Sequence, residues 1–235
     1  MAATFLLRSL GVLLLAGIGV KALCSTVGPP GGKDNFVGSF RVELHRYNGT
    51  VEENASPTNY LCWMNKAMLL YKLVIPASSQ PELRQLCDLR SDARWTLVND
   101  DHGNRTAMKG RYVEATENTD TKDAPKAIRT AETRTIEGYT CVKMTATNKE
   151  GTWTAWVATE LKDPYPNMVR TMEPQTAQRF AGQPAWDGFP LEYEWTSVTG
   201  ERIVCQVKEL VVGSVDEKLF DLEGYKTIEL PMFGQ

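Results

Sequence analysis

The sequence lacks the residue patterns on which most catalytic sites depend. Its 235 residues include two histidines, His45 and His102, so general bases are few. It contains neither a GxSxG nucleophile elbow nor a GxxxxGK[ST] phosphate loop. Nucleophilic catalysis therefore finds no support in the sequence, and we expect a protein that is not an enzyme and needs no cofactor.

The cysteines also lack the spacing of the common zinc and redox sites. Apart from Cys24, the chain has Cys62, Cys87, Cys141 and Cys205, and no two of them form a CxxC pair. In an oxidising compartment this even number allows two disulfides, with three possible connectivities. The alternative is that they are buried free thiols, because Cys141 and Cys205 stand within apolar strand patterns.

No apolar run is long enough to span a bilayer. The longest one at the amino terminus covers the 12 residues between Arg8 and Lys21, whereas a transmembrane helix needs about 20. A basic residue, a short apolar run and the small residues Ala22 and Cys24 follow one another in the order of a secretory signal peptide. We therefore predict that residues 1–24 are a cleaved signal peptide and that the protein is periplasmic or secreted.

The end of this segment allows two outcomes. Cleavage after Ala22 or Cys24 would release a soluble protein that meets a membrane only transiently. Lipidation of Cys24 would instead anchor the same domain to a membrane. Leu23 fits the small-residue subsite before a lipidated cysteine poorly, so we expect release.

The charge balance argues against nucleic acid as a partner. The chain has 26 basic and 29 acidic residues, and removal of residues 1–24 would take away Arg8 and Lys21, which leaves 24 against 29, or about five net negative charges. Such a surface repels phosphate backbones, and no basic stripe offsets it.

The rest of the chain is typical of one β-rich domain. Residues 25–34 are rich in proline and glycine and predict a flexible linker, and residues 35–235 show one composition without repeats. Alternating apolar and β-branched runs predict half-buried strands. The predicted strands are Phe36–His45, Ala67–Ile75, Trp95–Val98, Thr106–Val113, Thr140–Thr147, Thr152–Thr159, Leu191–Thr196 and Arg202–Val212.

The connections between these runs indicate an antiparallel sheet. Tight turns are predicted at residues 100–104, 148–151 and 199–200, and strands joined by tight turns form hairpins. Two stretches do not show the alternating pattern of a strand. Thr116–Arg129 is polar and predicts a loop or surface helix, and Asn167–Ala181 predicts one or two short helices, with Pro174 at a helix start.

The second half of the chain resembles a known family. The motifs that carry the resemblance are Thr135–Lys143, Trp153–Val157, Gly188–Glu192, and Val215–Phe220 with Gly224–Tyr225. In this order they resemble a periplasmic family of unknown function, of the DUF4412 type, whose architecture is similar to that of the LolA/LolB lipoprotein carriers. The resemblance implies a mainly β, antiparallel half-barrel with an apolar concave face and one or two short covering helices.

A hydrophobic ligand is the function that this resemblance implies, since such carriers hold acyl chains in the concave face. The residues proposed as ligand contacts are large apolar side chains: Trp153, Trp156, Met168, Met172, Phe189, Tyr193 and Trp195. Small-molecule sites are concave and rich in aromatic residues. The competing interpretation is that these residues fill an ordinary core beneath a helix.

We therefore expect an exported binding protein for a lipid or a lipoprotein acyl chain, with residues 167–181 as a lid. The alternative is an envelope module with a filled core that docks another protein through its sheet edge or surface.

A hydrolase that uses acidic residues is the less favoured alternative. Glu192 and Glu194 share one strand face about 6.5–7 Å apart, a separation that suits paired-carboxylate hydrolysis. A solvated strand face gives the same pattern.

A metal site at residues 99–104 also has little support in the sequence. Residues 99–104 collect oxygen and imidazole groups but lack EF-hand spacing, so a hairpin turn is the simpler interpretation and we predict no metal.

Overall fold

A computed structural model describes residues 35–54, 56–74, 82–111, 125–172 and 183–229. Its strands join in one open, curved sheet in the order β13-β7-β6-β5-β4-β3-β1-β12-β11-β10-β9-β8, and β2 pairs with β1. All neighbours are antiparallel except β13 and β7, which are parallel. The strands are β1 Gly38–Asn48, β2 Val51–Glu52, β3 Thr58–Met64, β4 Met68–Val74, β5 Glu82–Asp88, β6 Ala93–Asn99, β7 Arg105–Arg111, β8 Ile128–Ile136, β9 Tyr139–Thr147, β10 Gly151–Ala158, β11 Phe189–Ser197, β12 Glu201–Val212 and β13 Lys226–Glu229.

Each predicted strand has a counterpart, in β1, β4, β6, β7, β9, β10, β11 and β12. The predicted ends at Ile75 and at Tyr112 and Val113 lie outside the described residues. The predicted turns also join consecutive strands, since residues 100–104, 148–150 and 198–200 connect hairpin partners. The β8–β9 turn has Glu137 and Gly138 at φ 49° and 82°, the positive values that a two-residue hairpin turn of type I′ requires. The mainly antiparallel architecture predicted from the sequence is therefore confirmed.

Five strands were not predicted, because β2 and β13 are short and because the side chains of β3, β5 and β8 do not alternate between apolar and polar. In β3, Trp63 is apolar and half-buried between the buried Cys62 and Met64, so both faces are apolar. In β8, by contrast, nearly every residue is exposed. The loop or helix expected at Thr116–Arg129 is partly corrected, since Ile128 and Arg129 begin β8, while residues 116–124 lie outside the described residues.

Two apolar clusters cover opposite faces of the sheet. The larger cluster lies on the face that packs against the helix, which we call the inner face, and includes Phe40, Val42 and Leu44 of β1. The smaller cluster lies on the outer face of β4 to β7, where Leu86 and Phe220 are buried together. A 3-10 helix, Glu217–Phe220, places Phe220 there. One sheet thus has two cores.

The helix, α1, spans Tyr165–Thr171. A predicted helix in this part of the chain is confirmed, but it begins before the expected start. Proline suits the first turn of a helix because the amide hydrogen that it lacks has no intrahelical partner there. Pro166 fills that role here, and Pro164 is the N-cap residue. Pro174 and the rest of the segment to Ala181 lie outside the described residues.

The predicted signal peptide 1–24 and the linker 25–34 also lie outside the described residues, so export stays a prediction. Within the part of the chain that is described, no helix is long and apolar enough to cross a membrane.

All four cysteines of the described domain are buried free thiols. They lie on β3, β5, β9 and β12, and no two of these strands are neighbours in the sheet. Strands separated by one other strand are about 9.5 Å apart, whereas the Cα atoms of a disulfide stand within about 7 Å. The sheet therefore keeps Cys62, Cys87, Cys141 and Cys205 as thiols, in line with the second of the two expectations from the sequence.

Burial should make these thiols unreactive. It raises the pKa of Cys62, and raises the pKa of Cys87 and Cys205 to about 12, which suppresses the reactive thiolate. In the protein spanning residues 25–235 we expect a chromogenic disulfide reagent to react slowly with the native fold and to titrate four thiols after denaturation. A titre of two or none in the denatured, unreduced protein would show disulfides instead.

Candidate functional site

Helix α1 crosses the inner face and is attached to the sheet at both ends. At its start, the Tyr165 hydroxyl lies 3.3 Å from the Cys205 sulfur on β12. At its end, Thr171 hydrogen-bonds the Cys87 thiol on β5, and Arg170 Nη2 donates to the Leu89 carbonyl at 2.7 Å. The helix therefore crosses the inner face between β12 and β5.

Aromatic rings fill the space beneath this crossing. Phe36, Phe40 and Phe189 pack edge to face, with ring centroids 5.2–5.5 Å apart. Tyr165 adds edge-to-face contacts with Phe189 at 5.6 Å and with Tyr193 at 5.9 Å. Such pairs stabilise a core beyond the area that they bury. The part of the inner face that lies beneath α1 is a packed core.

The residues predicted to contact a ligand are mostly part of that core. Trp153, Met168, Phe189 and Tyr193 are buried, and Met172 and Trp195 are half-buried. Trp156 is half-buried and packs against the inner cluster, and the Arg134 guanidinium carbon is 4.3 Å from its ring centroid. The structure thus brings five of the seven together at the inner cluster, while Trp153 and Trp195 contact each other with ring centroids 6.2 Å apart. As ligand contacts they stay a prediction.

The ends of β4 and β5 that lie away from Leu69 and Cys87 carry apolar side chains that neither cluster includes. On β4, Leu69 lies in the inner core, and Leu73 stands on the same face about 13 Å further along. On β5, Cys87 lies in the inner core, and Leu83 occupies the equivalent place beyond it. Leu83 pairs with Val98 of β6. A second apolar area, outside both clusters, therefore lies on the inner face of β4 to β6.

This area continues to the edge of the sheet. Met108 of β7 lies on the same face and pairs with Ile228 of β13. Leu73, Leu83 and Ile228 are 41%, 49% and 43% exposed, high values for large apolar residues on one sheet face. We call Leu73, Leu83, Val98, Met108 and Ile228 the uncovered strip.

Sequence reasoning missed the uncovered strip. The signal was present in β4, where Leu69, Tyr71 and Leu73 alternate toward one face. Leu83 went unnoticed because β5 was not predicted. Alternation identifies residues that face one way, but it cannot distinguish a face beneath a helix from one without cover.

A polar group lies among the buried aromatics at the start of α1. The Tyr165 and Tyr193 hydroxyls both hydrogen-bond the Cys205 thiol, and burial raises the pKa of both tyrosines. Beside them, Asp163 Oδ1 accepts the Tyr165 amide hydrogen at 2.9 Å. Burial raises the pKa of Asp163 to about 7, and the amide hydrogen bond opposes this shift only in part. The carboxyl group is therefore half-protonated near neutral pH.

The paired glutamates of β11 lie on the outer face, away from both apolar areas of the inner face. Glu192 Oε2 is 2.9 Å from Arg134 Nη2, and Glu194 Oε1 is 3.2 Å from Arg202 Nε. Each carboxylate thus has its own arginine on a charged strand face. This geometry matches the solvated-face interpretation of their spacing.

The loop considered as a metal site is organised as a turn. Asp100 Oδ1 accepts the amide hydrogens of His102 and Asn104, and Asp100 Oδ2 accepts from Asn104 Nδ2 at 2.7 Å. The hydrogen bonds from Asn104 are the main cause of a lowered Asp100 pKa. Within the described ranges, no group of three histidine, cysteine or acidic residues is placed to hold a metal ion.

These features define the class of protein. It is an open, curved, mainly antiparallel half-barrel with a short helix across its inner face. The fold class expected from the sequence is confirmed.

Comparison with known proteins then gives the family. The chain belongs to the family described as a domain of unknown function (DUF4412), whose sequence model matches residues 86–224. This confirms the resemblance drawn from the motifs. None of the curated proteins matches the chain significantly.

Several solved structures are distantly similar. They include PNGF-II, with 12% identity and a TM-score of 0.40 over 83% of this chain. This chain spans only 32% of that structure's length. A LolA superfamily protein from Nitrosomonas europaea has 10% identity and a TM-score of 0.34, covering 81% of this chain and 91% of its own. The Mycobacterium tuberculosis lipoprotein LppX has 11% identity and a TM-score of 0.35, covering 77% and 89%.

The raised pKa of Asp163 predicts a pH-dependent stability. The folded state binds this proton more tightly than the unfolded chain, so the stabilisation is complete below about pH 4 and is lost as the pH rises through about 7. Asp163→Asn keeps the oxygen that accepts the Tyr165 amide hydrogen but does not ionise. We expect the variant to melt several degrees above the wild type at mildly alkaline pH, with the difference shrinking as the solution is acidified.

Thermal melts across this pH range measure the effect. Asp101→Asn, in the exposed β6–β7 turn, is the matched control and should leave the pH profile of the wild type unchanged. A constant difference between Asp163→Asn and the wild type at every pH would contradict the assignment.

Proposed function

We propose that this chain is an exported, non-enzymatic binding protein that holds a hydrophobic ligand, a lipid or the acyl chain of a lipoprotein, on the inner face of its sheet. The observation that carries the proposal is the uncovered strip. Large apolar side chains usually leave water on folding, yet Leu73, Leu83 and Ile228 lie on one face of the sheet with more than 40% of their surface exposed.

The position of the strip supports a ligand that lies along the sheet. Tyr60 and Tyr71 are half-buried, pack against the inner core and stand beside Leu73, so they join the core to the strip. An acyl chain on this surface would gain about 0.8 kcal/mol for each buried CH₂ group, before the cost of immobilising it.

The aromatic contacts predicted from the sequence belong to a second part of this proposal. Phe189 and Tyr193 lie directly beneath Tyr165 of α1. They would reach a ligand only if α1 moved away from the sheet, as a lid does. The strip would then be the first surface that a ligand meets.

An acidic substitution on the strip tests the proposal. We expect Leu83→Asp to weaken binding of a fluorescent fatty-acid probe about tenfold, which corresponds to about 1.4 kcal/mol. The reason is that a carboxylate beside an acyl chain must lose its hydration. Val198→Asp is the matched control, because Val198 is 74% exposed in the β11–β12 turn, away from the strip.

Two results would count against the carrier. One is equal loss of probe binding in Leu83→Asp and Val198→Asp, and the other is no binding by the wild type. Native mass spectrometry of the mature protein from its own envelope, followed by lipid extraction, supplies the ligand's identity. A protein that carries no lipid and binds no probe favours the interaction-module alternative.

The sheet edge is the observation that favours this alternative. Among the described strands, β8 pairs only with β9, so its other edge is open to a strand from another protein. Disruption of a purified complex by Thr133→Pro, with the strip intact, would support edge docking.

A further inference from the structure

A groove at the other end of the sheet has a different chemistry from the uncovered strip. It has a volume of about 540 Å³, within the usual range for small-molecule sites. Its lining residues are Pro125, Lys126, Ala127, Arg129, Met144, Ala185 and Asp187. None of them belongs to the strip or to the contacts predicted from the sequence.

Three segments build this groove. Residues 125–127 lead into β8, where Arg129 stands opposite Met144 of β9 in the sheet ladder. Ala185 and Asp187 come from the segment before β11. The groove is thus bounded by the edge of the sheet and by chain that is held close to it.

The lining separates into an apolar floor and a charged rim. Met144 is 3% exposed and Pro125 is buried, while Ala127 packs against the inner core. Arg129, Lys126 and Asp187 are exposed. A ligand that fits both parts needs an apolar body and a polar end.

The charges of the rim indicate the sign of that polar end. Neighbouring cations are neutralised on the outer face, where Arg134 pairs with Glu192 and Lys143 with Glu132. Within the described part of the chain, neither Lys126 nor Arg129 forms an ion pair. Two cations beside one carboxylate give the rim a net charge of about +1, on a chain whose net charge is −3.

We propose that this groove binds an amphiphilic carboxylate. The Arg129 guanidinium and the Lys126 ammonium hold the carboxylate, since arginine matches its two oxygens with two parallel N–H donors. The apolar body lies against Pro125, Ala127 and Met144. Asp187 selects a monoanion, because a dianionic phosphate monoester would meet more repulsion there. This site is separate from the strip and does not rest on the function proposed for it.

Titration calorimetry with ligands of one chain length tests the proposal on the protein spanning residues 25–235. The probes are octanoate, 1-octanol, octyl phosphate and acetate. We expect octanoate to bind more tightly than the other three, and added salt to weaken its binding. Octanol binding as tightly as octanoate, or octyl phosphate binding more tightly, would overturn the carboxylate assignment.

Charge-neutral variants locate the binding. We expect Arg129→Gln to weaken octanoate binding about tenfold and to leave octanol binding and the melting temperature unchanged, because Arg129 is exposed. Lys149→Gln is the matched control, since it removes the same charge from the exposed β9–β10 turn. Equal octanoate affinity in Arg129→Gln and Lys149→Gln would contradict the site.

Leu83→Asp separates this site from the strip. Octanoate binding that persists in Leu83→Asp and is lost in Arg129→Gln supports the groove, whatever happens to the fatty-acid probe on the strip. Octanoate binding that is lost in Leu83→Asp and intact in Arg129→Gln assigns the ligand to the strip and overturns the groove.

Discussion

The crossing of α1 over the inner face determines which parts of that face are core and which are surface. A single sheet has two faces, and each apolar side chain on either face must be covered or remain in water. A helix of seven residues is only about 10 Å long. Its attachments to Cys205 at one end and Cys87 at the other place it across the inner face between β12 and β5, and a helix this short covers only part of that face. The packed aromatics and the uncovered strip both follow from this placement.

The fold was largely predictable because its strands mostly have one buried and one solvated face. Such strands alternate, as β1 does from Gly38 to Leu44, and alternation is visible in sequence. Two of the missed strands, β3 and β8, lack this alternation for opposite reasons. β3 is apolar on both sides because it lies between the two cores, whereas β8 is polar on both sides because it is an edge. The hydrophobic pattern of a segment indicates which of its residues are buried. Burial also depends on neighbouring elements that are distant in the sequence, and these are not visible in a short segment.

The site was less predictable than the fold, for a related reason. Trp153 and Tyr193 attract attention as large aromatics, but residues of this kind dominate ordinary cores, and both are buried here. Leu83 is an unremarkable residue in sequence, yet it stands exposed among other apolar side chains. What distinguishes the two is the position of α1, which is a tertiary property. The cysteines are a further example. Their even number is compatible with disulfides, and only the strand order of the folded sheet shows that they lie on strands that are not neighbours.

The strands that carry the strip differ from the rest of the sheet because their outer face is also apolar. Leu70 and Leu86 are buried on the outer side of β4 and β5 by the segment around Phe220. The outer core therefore helps to hold these strands in place where the strip lies exposed on their inner side. In β10 and β11, by contrast, the outer face carries ion pairs, and among the described residues these two strands contribute to the inner cluster alone. A ligand-binding surface can vary or stay exposed only where something else stabilises the strands behind it. On this reasoning the half of the sheet with two apolar faces suits the binding that we propose for the strip, because the outer core helps to stabilise the strands behind it.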